Sequence, residues 1–223
     1  SPRQVKGILD GEKKKTKSLD LGSLVDTLLT TPDEFPNLYY IINKVPSEAY
    51  LKLANEYLRL KDLYIEQTGS EEFFDKDSTI LTARTNVEFQ SNWGNEAVLK
   101  NFNEKCSEYL SEIDSAGDKT IVSAGEFYLA SRLVSSVKEN YLVNKYFTPL
   151  EDVEILYQYP IVFTIKGKEI KALPDIIYID HKNKTIEVID IKTYGDSFLS
   201  NYYKYRYYYQ AAIYSAAVIS EFR

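Results

Sequence analysis

Apolar residues in this chain recur with two periods, and the change falls between Val143 and Val153. Before it, spacings of three and four dominate. Leu21, Leu24, Val25, Leu28 and Leu29 make Asp20–Leu29 a predicted amphipathic helix, with Ser18 or Asp20 as its cap and Pro32 as its stop. Gly22, near its start, leaves room for a close approach, and Asp26, four residues on, shares its side of the helix. The stretch from Val45 to Gln67 is strongly helical with Ser47 as N-cap, and residues 95–113 form another amphipathic pattern. STILTARTNVEF leaves helix and strand both open. Residues 38–118 therefore read as a helical insertion without repeat or catalytic motif. After Ser123 a helix is predicted to about Tyr141, with Phe127, Leu129, Ala130, Leu133, Val134 and Val137 suited to packing on a sheet.

From Val153 the pattern alternates with a period of two. Gly167 falls in a turn, so Val153–Lys192 reads as three consecutive antiparallel strands, a meander. SNYYKYRYYYQAAIYSAAVI then reads as one helix of about five turns. Helices on both sides of a meander predict an α/β fold: a central mixed sheet flanked by helices, in a single domain over residues 1–223.

The stretch PDIIYIDHKNKTIEVIDIK, Pro174–Lys192, carries the candidate chemistry. A turn centred on Lys182 and Asn183 sets Asp175 opposite Asp190. Strand alternation puts Asp175, Asp190 and Lys192 on one face, with Ile177, Ile179, Ile186 and Val188 behind them. Two adjacent carboxylates at a strand end repel, so something positive belongs between them. Lys192 is one candidate, which makes a charge-paired strand end one reading. A hard divalent cation such as Mg²⁺ is the other, with the Ile191 backbone carbonyl as a further ligand. Such an ion polarises a phosphoryl oxygen and acidifies a bound water, leaving Lys192 to orient that water or hold the phosphate.

Composition narrows this only at the edges. A net charge of −6 argues against coating nucleic acid by bulk electrostatics, while leaving local basic tracks open. The single histidine, His181 at the hairpin tip, excludes a multi-histidine metal site, and the single cysteine, Cys106, excludes an internal disulfide. The lone cysteine suits a reducing cytoplasm, and no apolar run approaches a membrane span. Tyrosine is abundant, with 20 residues, several in the terminal helix. Tyr203, Tyr207 and Tyr214 suit a sheet-packing face. Tyr202, Tyr205, Tyr208 and Tyr209 then face outward, beside Lys204 and Arg206, to stack on bases or fill an oligomer contact.

The pattern Pro174-Asp175 … Asp190-Ile191-Lys192 resembles the PD-(D/E)xK nuclease superfamily. Gly22-x-x-x-Asp26 resembles its first motif, with aspartate in place of histidine, and Gln210-x-x-x-Tyr214 resembles its Q-x-x-x-Y motif. LDLGSLVDTLLTTPDEF, TIVSAGEF, KALPD and VIDIKT are similar to segments of exodeoxyribonuclease VIII-like and phage-type recombination exonucleases. The resemblance covers residues 18–35 and 120–219. It implies a restriction-endonuclease-like core and a Mg²⁺- or Mn²⁺-dependent deoxyribonuclease that processes duplex DNA ends in recombination or repair. Asp175, Asp190, Lys192, Gln210 and Tyr214 would be its catalytic set. Asp175, Asp190, the Ile191 carbonyl and Asp26 would hold the metal. Gln158 stands where many relatives carry glutamate. Lys13, Lys14, Lys15 and Lys17, with Lys204 and Arg206, are the candidate DNA contacts. A single-strand annealing protein and a ring-shaped homo-oligomer are the further partners implied, in a bacterial or phage-infected cytoplasm. Two alternatives stand beside this: a single-strand nuclease or endonuclease on the same core, and a catalytically inactive DNA-binding or scaffold module.

Overall fold

The hairpin forms in the register that its alternation dictates. In the computed structural model, which describes residues 17–194 and 197–222, strand β6 (Ile176–Asp180) runs antiparallel to β7 (Thr185–Ile189). Ile176 pairs with Ile189, Ile177 with Val188 and Asp180 with Thr185. Asn183 donates its backbone and side-chain N–H groups to the Asp180 carboxylate, each at 2.8 Å, and these bonds hold that carboxyl below its usual range. His181 is exposed in this turn.

The meander is corrected to five strands. β3 (Val153–Tyr157) pairs with β6 rather than with its successor, giving the sheet order β3-β6-β7. β4 (Ile161–Ile165) and β5 (Lys168–Ala172) form a separate antiparallel hairpin. Its two turn residues, Lys166 at φ 49° and Gly167 at φ 77°, have the left-handed pair that a tight hairpin turn requires. The extra breaks have local causes. Gln158 takes a left-handed φ of 49° and Pro160 has no N–H, so no strand runs through Gln158–Pro160. The Gln158 N–H bonds instead to the Asp175 carbonyl at 3.0 Å. Leu173-Pro174 makes the second break in the same way.

One core joins these strands to helix α7 (Tyr207–Glu221): Ile177, Ile179, Ile161, Phe163, Ala217 and Val218 are buried together, with Val188 packed against them. Each such aliphatic side chain contributes about 1.5–3 kcal/mol on burial. Ile186, expected in this face, lies beyond the core near the turn and is 39% exposed. The opposite sheet face is held by polar and aromatic contacts. Glu187 accepts from Lys145 Nζ and the Tyr146 hydroxyl, both at 2.6 Å, and Tyr146 meets the Tyr178 ring edge-on at 5.5 Å.

Helix α1 (Lys17–Thr30) starts earlier than predicted, taking in Ser18 and Asp20, and buries Leu24, Val25 and Leu29. Helix α5 (Ala124–Glu139) buries Ala130 and half-buries Phe127, Val134 and Val137. That stripe leaves Leu129 and Leu133 off its axis, and both are exposed, against expectation. The single long terminal helix is also corrected. Arg206 adopts φ 56°, which ends α6 (Phe198–Lys204) before α7 begins.

The chain divides into two compact units, residues 1–36 with 125–223 and residues 37–124. The second is not purely helical. β1 (Tyr39–Ile42) pairs in parallel with β2 (Thr120–Ser123), which the sequence pattern did not suggest. Between them lie α2 (Glu48–Thr68), α3 (Lys76–Asn86) and α4 (Asn95–Ala116), packed on Leu53, Tyr57, Ile80, Val98 and Phe102. The ambiguous STILTARTN segment is therefore helical, started by Asp75, whose carboxylate accepts the Ser78 N–H at 3.0 Å. Cys106 is fully buried in this core, and burial pushes its thiol up to about 11, so it is chemically quiet. The molecule is of mixed α/β class, and among the described residues no helix is long and apolar enough to cross a membrane.

Candidate active site

The open end of the β6–β7 hairpin brings the carboxylates together. Asp175 immediately precedes β6 and Asp190 immediately follows β7. Asp175 Oδ2 accepts the Ile191 N–H at 2.5 Å, which ties the entry of one strand to the exit of the other. Asp190 Oδ2 pairs with Lys192 Nζ at 2.6 Å, and the same ammonium reaches the Ile191 carbonyl at 3.4 Å. Burial raises the Asp175 carboxyl and Asp190 raises it further, while the Ile191 N–H and Lys192 oppose them.

Helix α7 fastens this arrangement from the side. Gln210 Nε2 donates to Asp190 Oδ1 at 3.0 Å and to the Tyr214 hydroxyl oxygen at 2.9 Å. Tyr214 in turn donates to the Leu173 carbonyl at 3.0 Å. Spacing of four puts both side chains on one helix face. One end of this chain of bonds holds Asp190, and the other holds the backbone two residues ahead of Asp175. Gln210 and Tyr214 thus clamp both carboxylate-bearing strand ends, and they act through those ends.

Asp26 enters from α1. Gln158, held left-handed at the break after β3, donates its amide to Asp26 Oδ2 at 2.9 Å and to Asp175 Oδ1 at 3.3 Å. Gln158 was a residue of unassigned role in the sequence; here it bridges two carboxylates. Burial pushes Asp26 up to about 6, helped by Asp175 and Asp190 and opposed by Lys192. Asp26 Oδ1 is buried without a hydrogen-bond partner. The helix comes this close because Gly22 has no side chain: a Cβ there would meet Thr193 Oγ1.

These groups suit a hard divalent cation. The available ligands are carboxylate and carbonyl oxygens, which is the set such an ion selects. The Asp26 oxygen without a partner is unsatisfied as it stands, and burying it so is costly. The Lys192 ammonium already bridges Asp190 and the Ile191 carbonyl, so those two oxygens accept a positive charge between them. Among the described residues, no three His, Cys, Asp or Glu side chains form a metal-holding group by themselves. The Ile191 carbonyl and water would have to complete the coordination, as is usual for Mg²⁺.

Asp26, Asp175, Asp190, Lys192, Gln210 and Tyr214 are thus linked through hydrogen bonds and charge interactions in one place. Lys204 and Arg206 are exposed around the α6–α7 junction, outside that network. Lys13, Lys14 and Lys15 lie outside the described residues, as does the side chain of Lys17. Sequence reasoning missed Leu173 and Thr193, whose roles depend on a backbone carbonyl and on a close approach across the fold; neither leaves a residue-type signal. No family model, no curated protein and no solved structure matches the chain.

Proposed function

We propose that this protein is a metal-dependent deoxyribonuclease, an exonuclease acting at duplex DNA ends, on the restriction-endonuclease-like core of the PD-(D/E)xK superfamily. The observation that carries this reading is the hairpin end, where Asp175, Asp190, the Ile191 carbonyl and Lys192 meet under the Gln210–Tyr214 clamp. Asp175, Asp190 and the Ile191 carbonyl would hold Mg²⁺ or Mn²⁺, with water completing the coordination and Asp26, joined to Asp175 through the Gln158 amide, reaching the ion only by moving closer. When bound, the ion supplies charge to the phosphoryl oxygens and lowers the pKa of a coordinated water.

With Asp190 shared with the ion, Lys192 would have two tasks open to it: holding the scissile phosphate as a point charge and orienting the attacking water. Gln210 fixes the Asp190 carboxylate, and Tyr214 fixes Gln210. Lys204 and Arg206, exposed at the α6–α7 junction, would meet phosphates farther along the strand. Recombination or repair, a ring of subunits and an annealing-protein partner are supported by the sequence resemblance alone.

The test is linear duplex and single-stranded DNA, labelled at either end, and covalently closed DNA, each incubated with the purified protein in Mg²⁺ and in Mn²⁺. Label released as nucleotides, with covalently closed DNA left intact, supports the exonuclease. Substrates that all survive in both Mg²⁺ and Mn²⁺ reject it.

A further inference from the structure

A cleft of about 390 Å³ opens beside the carboxylates. Asp190, Lys192 and Gln210 form part of its lining, and Tyr194, Phe198 and Tyr202 supply an aromatic wall. These three rings follow one another at 6.0 and 5.7 Å. Tyr207 also lines the cleft, with Lys192 Nζ 5.7 Å from its ring centre. Tyr194 and Phe198 are 42% and 49% exposed, so this wall is not core.

The charged groups lining the cleft are Asp190 and Lys192, paired with each other, and Lys204 and Arg206 are exposed at the α6–α7 junction outside that lining. The aromatic wall favours a flat apolar ring, and the Lys192 ammonium beside Tyr207 is the group there that can meet a phosphate. A nucleotide has both, on adjacent atoms. A base inside a duplex has its faces covered by neighbours and its edge by its complement, so only an unpaired base can lie on this wall.

We propose that the cleft is a stacking subsite for an unpaired nucleobase next to the scissile phosphate. This rests on the nuclease reading and gives it a substrate class: a single strand, or a duplex end whose terminal nucleotide has left its partner. Stacking accepts any base, so the subsite carries little sequence preference.

The test uses the full chain in EDTA, with a single strand bearing a fluorescent adenine analogue at its terminus. Anisotropy reads binding, and quenching of the analogue reads stacking. Phe198→Ala and Tyr202→Ala are each expected to weaken binding about tenfold and to abolish the quench. Tyr202→Phe keeps both. A strand abasic at that position binds the wild type as weakly as the base-bearing strand binds the alanine variants. Phe198 is solvent-exposed, so its truncation leaves the circular dichroism unchanged and the result interpretable even where Tyr202→Ala fails to fold. Equal binding by wild type and Phe198→Ala, or undiminished binding of the abasic strand, overturns the subsite. So does a self-association that Phe198→Ala disperses while strand binding stays unchanged, since the wall is then a contact with a second copy. Quenching by wild type that never hydrolyses DNA supports the subsite and rejects the nuclease. Hydrolysis with no effect of Phe198→Ala on binding does the reverse.

Discussion

A Cβ placed on Gly22 would stand 2.8 Å from Thr193 Oγ1, so α1 and the segment carrying Lys192 meet with no room for a methyl group. Asp26 lies one turn further along α1, and its position depends on that approach. Gly22→Ala gains about 1 kcal/mol of helix propensity and loses about 1–3 kcal/mol to overpacking. The expected result is a small net loss of stability with a larger loss of activity, because α1 must move. Adding Thr193→Ala removes the obstructing oxygen and should restore much of both, measured as Tm and turnover. A double variant no better than Gly22→Ala would show that the contact does not set the position of α1.

Tyr214→Phe removes the bond to the Leu173 carbonyl while keeping the ring that packs on the sheet core. A hydrogen bond of this kind contributes about 0.5–1.5 kcal/mol. Tm should fall slightly. Turnover should fall about tenfold, the rate equivalent of roughly 1.4 kcal/mol, with KM little changed, since the clamp positions Asp190 rather than substrate. Unchanged turnover would mean that Gln210 needs no support from Tyr214.

Mn²⁺ should raise the Tm of the wild type, because an ion that binds the native state alone stabilises it by mass action, about 2.7 kcal/mol at 100 times its dissociation constant. Asp175→Asn and Asp190→Asn should each lose most of that increase. Asp26→Asn should lose only part, its carboxylate being one Gln158 amide away from Asp175. A full increase in Asp190→Asn would remove that residue from the coordination.

The strand register and the grouping of Asp175, Asp190 and Lys192 were legible in the sequence because one buried face of β6–β7 leaves no freedom to slip. The spacing of Gln210 and Tyr214 was legible for the analogous helical reason. The five-strand order was not. Tyr157, Gln158 and Tyr159 read as a continuing strand, and the left-handed backbone at Gln158 ends it two residues before Pro160 does. The β1–β2 pair was hidden because each strand has four residues and pairs with one about 80 positions away, beyond the reach of local periodicity. Arg206 splits the terminal helix by its backbone conformation, although its residue type favours helix.

Stability should depend on Glu187 at neutral pH and cease to do so in acid. Its bond to Lys145, with that to Tyr146, holds its carboxyl below the ordinary value of 4.5. A carboxyl lowered on folding contributes stability above its unfolded pKa and loses it as pH falls through the lower folded value. Glu187→Gln should therefore lower stability at pH 7, by no more than about 1 kcal/mol because the pair is partly exposed. The gap between variant and wild type should close as pH falls from the ordinary value of 4.5 through the lowered folded value. A gap that persists at low pH would assign the effect to packing.

The most direct test of the central claim is the rate at which linear DNA is converted to nucleotides in Mg²⁺ by wild type, Asp190→Asn and Lys192→Ala in parallel. The expected result is metal-dependent release by the wild type, no detectable release by Asp190→Asn, and a loss of about 10²–10⁴-fold in Lys192→Ala with the fold intact. Release at wild-type rate by either variant, or none by the wild type, would contradict it.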